Sequence, residues 1–449
     1  MARKEIGDVA AKRLSAVALA HNFDDVAPAL DRRGALIAAQ RCYYCYDAPC
    51  ITACPTGIDI PSFIRSIATD DLKGAAQTIL SANILGGMCA RVCPTEILCE
   101  GDCVRNKDGD RPVEIGALQR HATEWVYPAN AQFFERAAPT GKRVAIVGAG
   151  PAGLSCAHML ARAGYAITIF DANPKPGGLN EYGIAAYKVP GFAQREIDWL
   201  VGIGGIEIVS DAVLGNNLKL ADLRRDFSAV FLGIGLGGVN ALGLDGESLA
   251  GVGNAVDFIA HLRQTPLPEV AVGRRVVVIG GGNTAIDAAI QSKKLGAECV
   301  TMVYRRGTES MGATAVEQQF AKSEGVTIIH WAAPRCLYDI DGRLSSIEFE
   351  YTQLDDAGRL LGTGDFFTLP ADTVLKAIGQ VLVPGPLTEA GHQLLDTRGG
   401  RIAVNTDYQT SLPGVWAGGD CVGGKLDLTV QSVEDGKRAA SAMHRALAG

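Results

Sequence analysis

Eight cysteines fall within sixty-two residues: Cys42, Cys45, Cys50 and Cys54 are answered by Cys89, Cys93, Cys99 and Cys103, and both Cys54 and Cys93 precede a proline. Thiolates at this density are ligands for iron-sulfur chemistry. The first group reads C-x2-C-x4-C-x3-C-P, a relative of the bacterial ferredoxin run whose fourth cysteine serves a different cluster from the first three, so the pattern points to two clusters. Zinc is the competing reading. It favours two separated C-x2-C knuckles, and only Cys42 and Cys45 have that spacing. A disulfide framework is the third reading, and a chain of 449 residues has no need of such staples.

Two glycine-rich stretches carry a second chemistry. The run from Lys142 to Val147 is a buried strand that feeds Gly148-Ala149-Gly150-Pro151-Ala152-Gly153 and then a helix. In this G-x-G-x-x-G the first glycine permits a tight turn, the second lets a pyrophosphate approach the backbone, and the third lets helix and strand pack closely. The N–H groups of the helix start then hold the phosphates. The next strand, Ala166 to Phe170, ends at Asp171, placed to accept hydrogen bonds from ribose hydroxyls. The same unit recurs. Arg275 to Ile279 runs into Gly280-Gly281-Gly282-Asn283-Thr284-Ala285 and a helix, and the following strand, Val300 to Tyr304, ends in Arg305-Arg306 in place of an acid. That pair can grip ribose or a 2′-phosphate; the plainer reading is a solvated strand end. Further on, Gly419-Asp420 places an acid to bind a polyol, and a helix opening at Thr429-Val430 turns its positive end toward a flavin ring or simply packs.

These residues need rigid elements behind them. From about Asp25 to Tyr127 the pattern is helical and short-segmented, with cysteines in loops and first turns. Asp59 can cap a helix with Pro61 in its first turn, and Phe63, Ile64 and Ile67 recur at helical spacing as a core face. The turn-rich stretch from Ala137 to Gly141 separates this region from the strands that follow. The length suggests about three domains. A net charge of -7 argues against nucleic acid as a partner. Charged residues interrupt the apolar positions of Met1 to Phe23, and no apolar run reaches membrane-spanning length, which points to a cytoplasmic protein with reduced thiols. Cys156, Cys299, Cys336 and Cys421 stand alone and read as core thiols.

A second Rossmann unit lying between the first and the Gly-Asp segment resembles the nested flavoproteins, in which an FAD domain is split by an inserted NAD(P) domain. Gly177, Gly178 and Leu179, the Ala377-Ile378-Gly379 strand end, and Gly419-Asp420 with Thr429 and Val430 fall where that family has them. Thioredoxin reductases share the plan but carry a redox C-x-x-C in the inserted domain, which is missing here. The cysteine region narrows the match to the glutamate synthase small subunit and the N-terminal half of dihydropyrimidine dehydrogenase. Glutamate synthase small subunits usually read C-P-x-P-C-E where this chain has Cys93-Pro94-Thr95-Glu96-Ile97-Leu98-Cys99. That loop, the run from Arg41 to Cys50, Cys54-Pro55-Thr56, Asp59-Ile60 and Ile115-Gly116-Ala117-Leu118-Gln119 look like dihydropyrimidine dehydrogenase. That family's FMN barrel has no counterpart in this chain, so the resemblance is to the flavoprotein subunit of the two-subunit bacterial NAD-dependent enzymes.

The resemblance implies an α-helical iron-sulfur domain (1–138) followed by α/β: two nested Rossmann-like domains, for FAD (139–245 and 382–449) and for NAD(P)H (246–381). It implies one 4Fe-4S cluster on Cys42, Cys45, Cys50 and Cys103 and another on Cys54, Cys93, Cys99 and Gln119. Ligand chemistry alone would choose Cys89, a softer donor than an amide oxygen, over Gln119. FAD would be held by Gly148, Gly150, Pro151, Ala152, Gly153, Asp171, Gly177, Gly178, Leu179, Lys188, Gly419, Asp420, Thr429 and Val430; for Lys188, a surface lysine is the alternative. The nicotinamide nucleotide would be held by Gly280, Gly282, Asn283, Thr284, Ala285, Arg305, Arg306, Ala377 and Gly379. NADH is expected over NADPH, because relatives using NADPH bring a further basic residue where this chain has Ser310, Met311 and Gly312. The implied activity passes electrons from NADH through FAD and both clusters to a partner subunit carrying FMN and further clusters, which reduces uracil or thymine. No side chain is expected to be catalytic, because hydride transfer is cofactor chemistry. An electron-input subunit of glutamate synthase is the alternative.

Overall fold

In the computed structural model, which describes residues 9–10, 13–129, 131–383, 385–389, 392–393, 395–424 and 426–448, the cysteine region consists of short helices, three of them started by side-chain caps. Helix α1 (Arg32–Gln40) begins where Asp31 accepts the Gly34 N–H at 2.6 Å. Helix α2 (Ile60–Ala68) begins at Asp59, which accepts the Ser62 N–H at 3.1 Å, with Pro61 in the first turn as expected. In α3 (Leu72–Ala82), Asp71 accepts the Gly74 N–H at 2.8 Å. Each carboxylate satisfies one of the N–H groups that a helix start leaves without an internal partner. Phe63, Ile64 and Ile67 are buried as foreseen and share a core with Ile58, Ile79 and Leu118. Helices α4 (Gly86–Val92) and α5 (Ile115–Glu124) complete the region.

The α/β part follows: β1 (Arg143–Val147), α6 (Pro151–Arg162), β2 (Ala166–Phe170), α7 (Ala193–Val201), β3 (Ile206–Val209) and β4 (Ala229–Leu232). Next come β5 (Val252–Asn254), α8 (Ala255–Gln264), β6 (Arg275–Ile279), α9 (Asn283–Lys294), β7 (Cys299–Tyr304), α10 (Ala315–Ser323) and β8 (Thr327–His330). Three longer strands, β9 (Ala332–Ile340), β10 (Arg343–Leu354) and β11 (Leu360–Pro370), lead to β12 (Thr373–Lys376). Strand β13 (Val415–Ala417) and helix α11 (Thr429–Ala448) close the series.

Two parallel five-stranded sheets result, in the orders β13-β4-β1-β2-β3 and β8-β7-β6-β12-β5. Strands β9, β10 and β11 form an antiparallel sheet of their own. The chain divides into two compact units. The larger contains Ala27–Glu181, Gly191–Gly237 and Val381–Gly449; the smaller contains the described residues up to Val26, with Tyr182–Pro190 and Gly238–Gln380. In the larger unit the cysteine helices do not stand apart. Leu80, Ile84, Leu85 and Val126 share one buried cluster with Val144, Ile146 and Phe231 of the sheet.

Helix α11 crosses α6 at very close range. A Cβ on Gly436 would strike the Ala152 carbonyl oxygen, and the Ser155 hydroxyl donates to the Val433 carbonyl at 2.7 Å. Cys156 and Cys421 are fully buried, as the sequence suggested. Cys299 and Cys336 correct that expectation. Cys299 is exposed at the first residue of β7, and Cys336 is half-buried beside an irregularity in β9, whose sheet has a solvated face. Among the described residues no helix is long and apolar enough to cross a membrane.

Burial holds His158, on α6, down to about 3, helped by the positive Arg162, and its Nε2 has no partner among the described residues. A depressed folded value means stability that is full above the ordinary imidazole value of 6.5 and is lost as pH falls toward 3. The loss should reach on the order of 4 kcal/mol. Denaturant midpoints measured from pH 7 to pH 4 should therefore fall less steeply in His158→Leu than in the native chain.

Candidate functional site

The thiols form two sets within the larger unit. Cys42, Cys45, Cys50 and Cys103 line a single cavity whose walls include Ile60, Ile64, Val113 and Ile115. Burial pushes the Cys50 thiol up to about 12, with Cys42 and Cys103 adding to the rise, and burial likewise raises Cys42. In the second set, Cys93 is raised by its hydrogen bond with Cys89, by burial, and by Cys99 and Cys54. Cys99 is raised by burial, then by Glu100 and Cys54. Partly buried thiols that raise one another in this way do not readily ionise together unless a positive charge sits among them, and metal coordination supplies that charge. No three His, Cys, Asp or Glu side chains among the described residues converge on a single-ion site. Four thiols around one cavity are a donor set suited to an iron-sulfur cluster.

The sets adjoin, since Cys50 also acts on Cys99. Cys89, Leu98 and Val430 form a small buried cluster with Cys54 and Cys93 against it, which puts the second set beside the start of α11. Gln119 is buried on α5, and its Nε2 donates to the Gly86 carbonyl at 2.7 Å, where α4 begins. The amide is thereby anchored through nitrogen, leaving its oxygen as the end able to bind metal. Cys89 sits on the same helix.

The first glycine loop builds a cradle in that unit. Gly148 has φ +101° with its missing side chain facing the Gly233 carbonyl, and a Cβ on Gly153 would strike the Gly148 carbonyl. Gly177 (φ +132°) donates its N–H to the Ala149 carbonyl at 2.9 Å, and a Cβ on Gly178 (φ +53°) would lie 2.8 Å from the Gly150 Cα. A strap from Gly177 through Leu179 therefore lies on the loop made by Gly148, Gly150, Pro151, Ala152 and Gly153. The strap continues to Asn180, whose Oδ1 accepts from the Thr429 hydroxyl at 2.9 Å. Asp171 sits at the end of β2, where its carboxylate accepts the Ala149 N–H at 2.6 Å and the Asn173 N–H at 2.8 Å. Gly419 donates its N–H to Asp435 at 3.1 Å, and Asp420, raised by burial and then by Asp427, accepts from the Ser432 hydroxyl at 3.2 Å.

The second loop lies in the smaller unit. A Cβ on Gly280 (φ +146°) would strike the Ala377 carbonyl. Gly282 caps α9, which starts with Asn283 and Thr284, and Ala285 is fully buried. The buried Oδ1 of Asn283 has no hydrogen-bond partner among the described residues, an acceptor suited to a donor group on a ligand. Gly379 (φ +98°) accepts from Asn240 at 3.3 Å. Arg305 is exposed and Arg306 half-buried just past β7. Lys188 belongs to this unit too, where its ammonium lies 2.9 Å from Asp287 and 2.8 Å from Glu317. Burial alone would lower it, but the two carboxylates hold it above the ordinary lysine value. Neither partner was foreseen from the sequence. Both come from helices more than ninety residues away, although Asp287 stands one helical turn after Asn283.

Residues 19–131 match the family model described as dihydropyrimidine dehydrogenase domain II, 4Fe-4S cluster, and residues 142–436 match pyridine nucleotide-disulphide oxidoreductase. The chain is 35% identical over 428 residues to the NAD-dependent dihydropyrimidine dehydrogenase subunit PreT of Salmonella typhimurium, covering 95% of this chain and 97% of that protein. It is 36% identical over 429 residues to the protein of the same name from Escherichia coli K12, covering 95% and 98%. The chain belongs to the PreT family. It is an oxidoreductase with iron-sulfur, flavin and nicotinamide cofactors. Among solved structures, Mycobacterium tuberculosis FprA in complex with NADPH superimposes with a TM-score of 0.58 at 20% identity, over 68% of this chain and 85% of that one, which shows a common fold.

A side chain at Gly178 would force the strap off the glycine loop, at a cost of about 1–3 kcal/mol. Gly178→Ala should therefore retain flavin at least tenfold more weakly than the native chain while keeping its iron, read as the ratio of released flavin to iron after gel filtration.

Proposed function

We propose that the chain is the electron-input subunit of a dihydropyrimidine dehydrogenase, taking electrons from NADH and delivering them to a partner subunit that holds FMN, further clusters and the pyrimidine. The observation that carries this reading is a pair of adjoining thiol sets, the second of them beside the start of α11, within the unit that also holds the first glycine loop. Near-full coverage of both PreT relatives supports it. When bound, FAD accepts a hydride from the reduced nicotinamide and the clusters carry electrons away one at a time.

The chain's own residues hold these groups. Cys42, Cys45, Cys50 and Cys103 bind one 4Fe-4S cluster, while Cys54, Cys93, Cys99 and Gln119 bind the other. Gly148 to Gly153 admit the FAD pyrophosphate, Asp171 takes a ribose hydroxyl, and Gly177, Gly178, Leu179, Gly419, Asp420, Thr429 and Val430 shape the rest of that site. Gly280, Gly282, Asn283, Thr284 and Ala285 receive the nicotinamide nucleotide, with Arg305, Arg306, Ala377 and Gly379 around it. Lys188, the remaining position assigned to FAD, has its ammonium held by Asp287 and Glu317. The partner reduces the 5,6 double bond of uracil or thymine, or runs the reverse oxidation. Thiolate-held clusters suit a reducing cytoplasm.

The purified chain should contain about eight irons per monomer and reduce an artificial dye with NADH in preference to NADPH. Pyrimidine reduction should appear only when the FMN subunit is added; glutamate formation with a glutamine-handling partner would count against the assignment. Gln119→Leu should halve the iron content and remove one paramagnetic signal, while Cys89→Ser should leave both. The opposite result would make Cys89 the eighth ligand.

A further inference from the structure

We propose that Glu196, on α7, sets the position and the reduction potential of the second cluster by capping the helix that carries Cys89 and leads to Cys93. This rests on the two-cluster reading given above. Glu196 is 1% exposed. One of its carboxylate oxygens accepts the Gly87 N–H at 2.8 Å, the Met88 N–H at 3.1 Å and the Tyr127 hydroxyl at 3.2 Å, and the other accepts the Met88 N–H at 3.2 Å. These N–H groups belong to the first turn of α4, a helix of only seven residues with no capping side chain of its own. The cap comes instead from a residue 109 positions later in the sequence.

The approach is built for contact. A Cβ on Gly87 would lie 2.6 Å from the Phe192 ring, 2.7 Å from the Tyr127 hydroxyl and 2.8 Å from the Glu196 carboxylate. Arg91, one turn along α4, stacks over Phe192 at 3.5 Å, donates to the Gly87 carbonyl at 2.7 Å and pairs with Glu124. From the other side, Gln119 holds the Gly86 carbonyl. Both candidates for the eighth ligand, Cys89 and Gln119, are therefore placed by the helix turn that Glu196 grips. A negative charge this deeply buried opposes an electron added nearby, because the interior screens it weakly. Burial pushes the carboxyl up to about 7, opposed by the Met88 N–H and by Arg91, so at pH 8 it is ionised.

The test uses the holo-chain at pH 8, titrated electrochemically with each cluster followed by electron paramagnetic resonance. Glu196→Gln keeps the shape and removes the charge. One midpoint should rise enough to change the reduced-to-oxidised ratio at fixed potential about tenfold, which is 59 mV for a one-electron couple, and the other should stay. Tyr127→Phe removes a hydrogen bond that helps keep Glu196 ionised, so at pH 8 the same midpoint should rise, by less than in Glu196→Gln. Unshifted midpoints in both variants, equal shifts of both clusters, or shifts of opposite sign in the two variants would overturn the role of Glu196. If Glu196→Gln loses iron, the direction in Tyr127→Phe decides. A native chain with fewer than two cluster signals would instead overturn the two-cluster reading.

Discussion

Sulfur ligands must be kept from water and from one another's charge, and the larger unit is organised around that requirement. Helices as short as α1, α2 and α4 cannot dry eight thiols by themselves. Phe63, Ile64 and Ile67 close one side of the cysteine loops. Val430 and Leu98 close the side near Cys89. Leu80, Ile84 and Val126 run into the same buried cluster as Val144 and Phe231, while Ile79, next to Leu80 on α3, lies in the core beside Cys42 and Cys50, so α3 links the packing of the sheet to that of the cysteine loops. A cavity made at Ile146 would be felt by the cysteine helices as well as by the sheet.

The second constraint is backbone approach. The loop at Gly148, the strap at Gly178 and the crossing of α11 over α6 at Gly436 all use positions where a methyl group would meet a carbonyl oxygen or a main-chain carbon. The strap also fixes the start of α11 through the contact of Asn180 with Thr429. In the smaller unit a short stretch before Pro190 is fixed in a different way. Tyr187 is fully buried and donates to Asp287 at 3.2 Å, the Ala186 N–H donates to Gln291 at 2.9 Å, and Lys188 bridges Asp287 and Glu317. Asp287 and Gln291 are four residues apart on α9, so a single face of that helix receives the stretch.

Much of this was legible in the residues. The buried strands before both glycine loops and the Asp59 cap are encoded locally, by runs of β-branched residues and by a carboxylate three positions before an unpaired N–H. The grouping of Cys42, Cys45, Cys50 and Cys103 followed from resemblance, and the four line one cavity. The antiparallel sheet of β9 to β11 was not anticipated. Glu196 left no trace either, because a contact between positions 87 and 196 produces no periodicity and no motif. Lys188 was legible as a basic position, but its two carboxylate partners were not. Cys299 and Cys336 were misjudged for a related reason: a cysteine's burial depends on which edge or face of a sheet it reaches, and that is settled by pairing between distant strands.

Lys437, on α11, donates to the Thr56 carbonyl at 3.1 Å and to the Ala82 carbonyl at 3.0 Å, joining positions 381 and 355 residues apart. The same helix lays Val430 over Cys89. During synthesis the cysteine segments emerge long before this helix does. The wall beside Cys89 is consequently open until α11 has been made and has docked, so a local contact early in the chain waits on a helix more than three hundred residues further on.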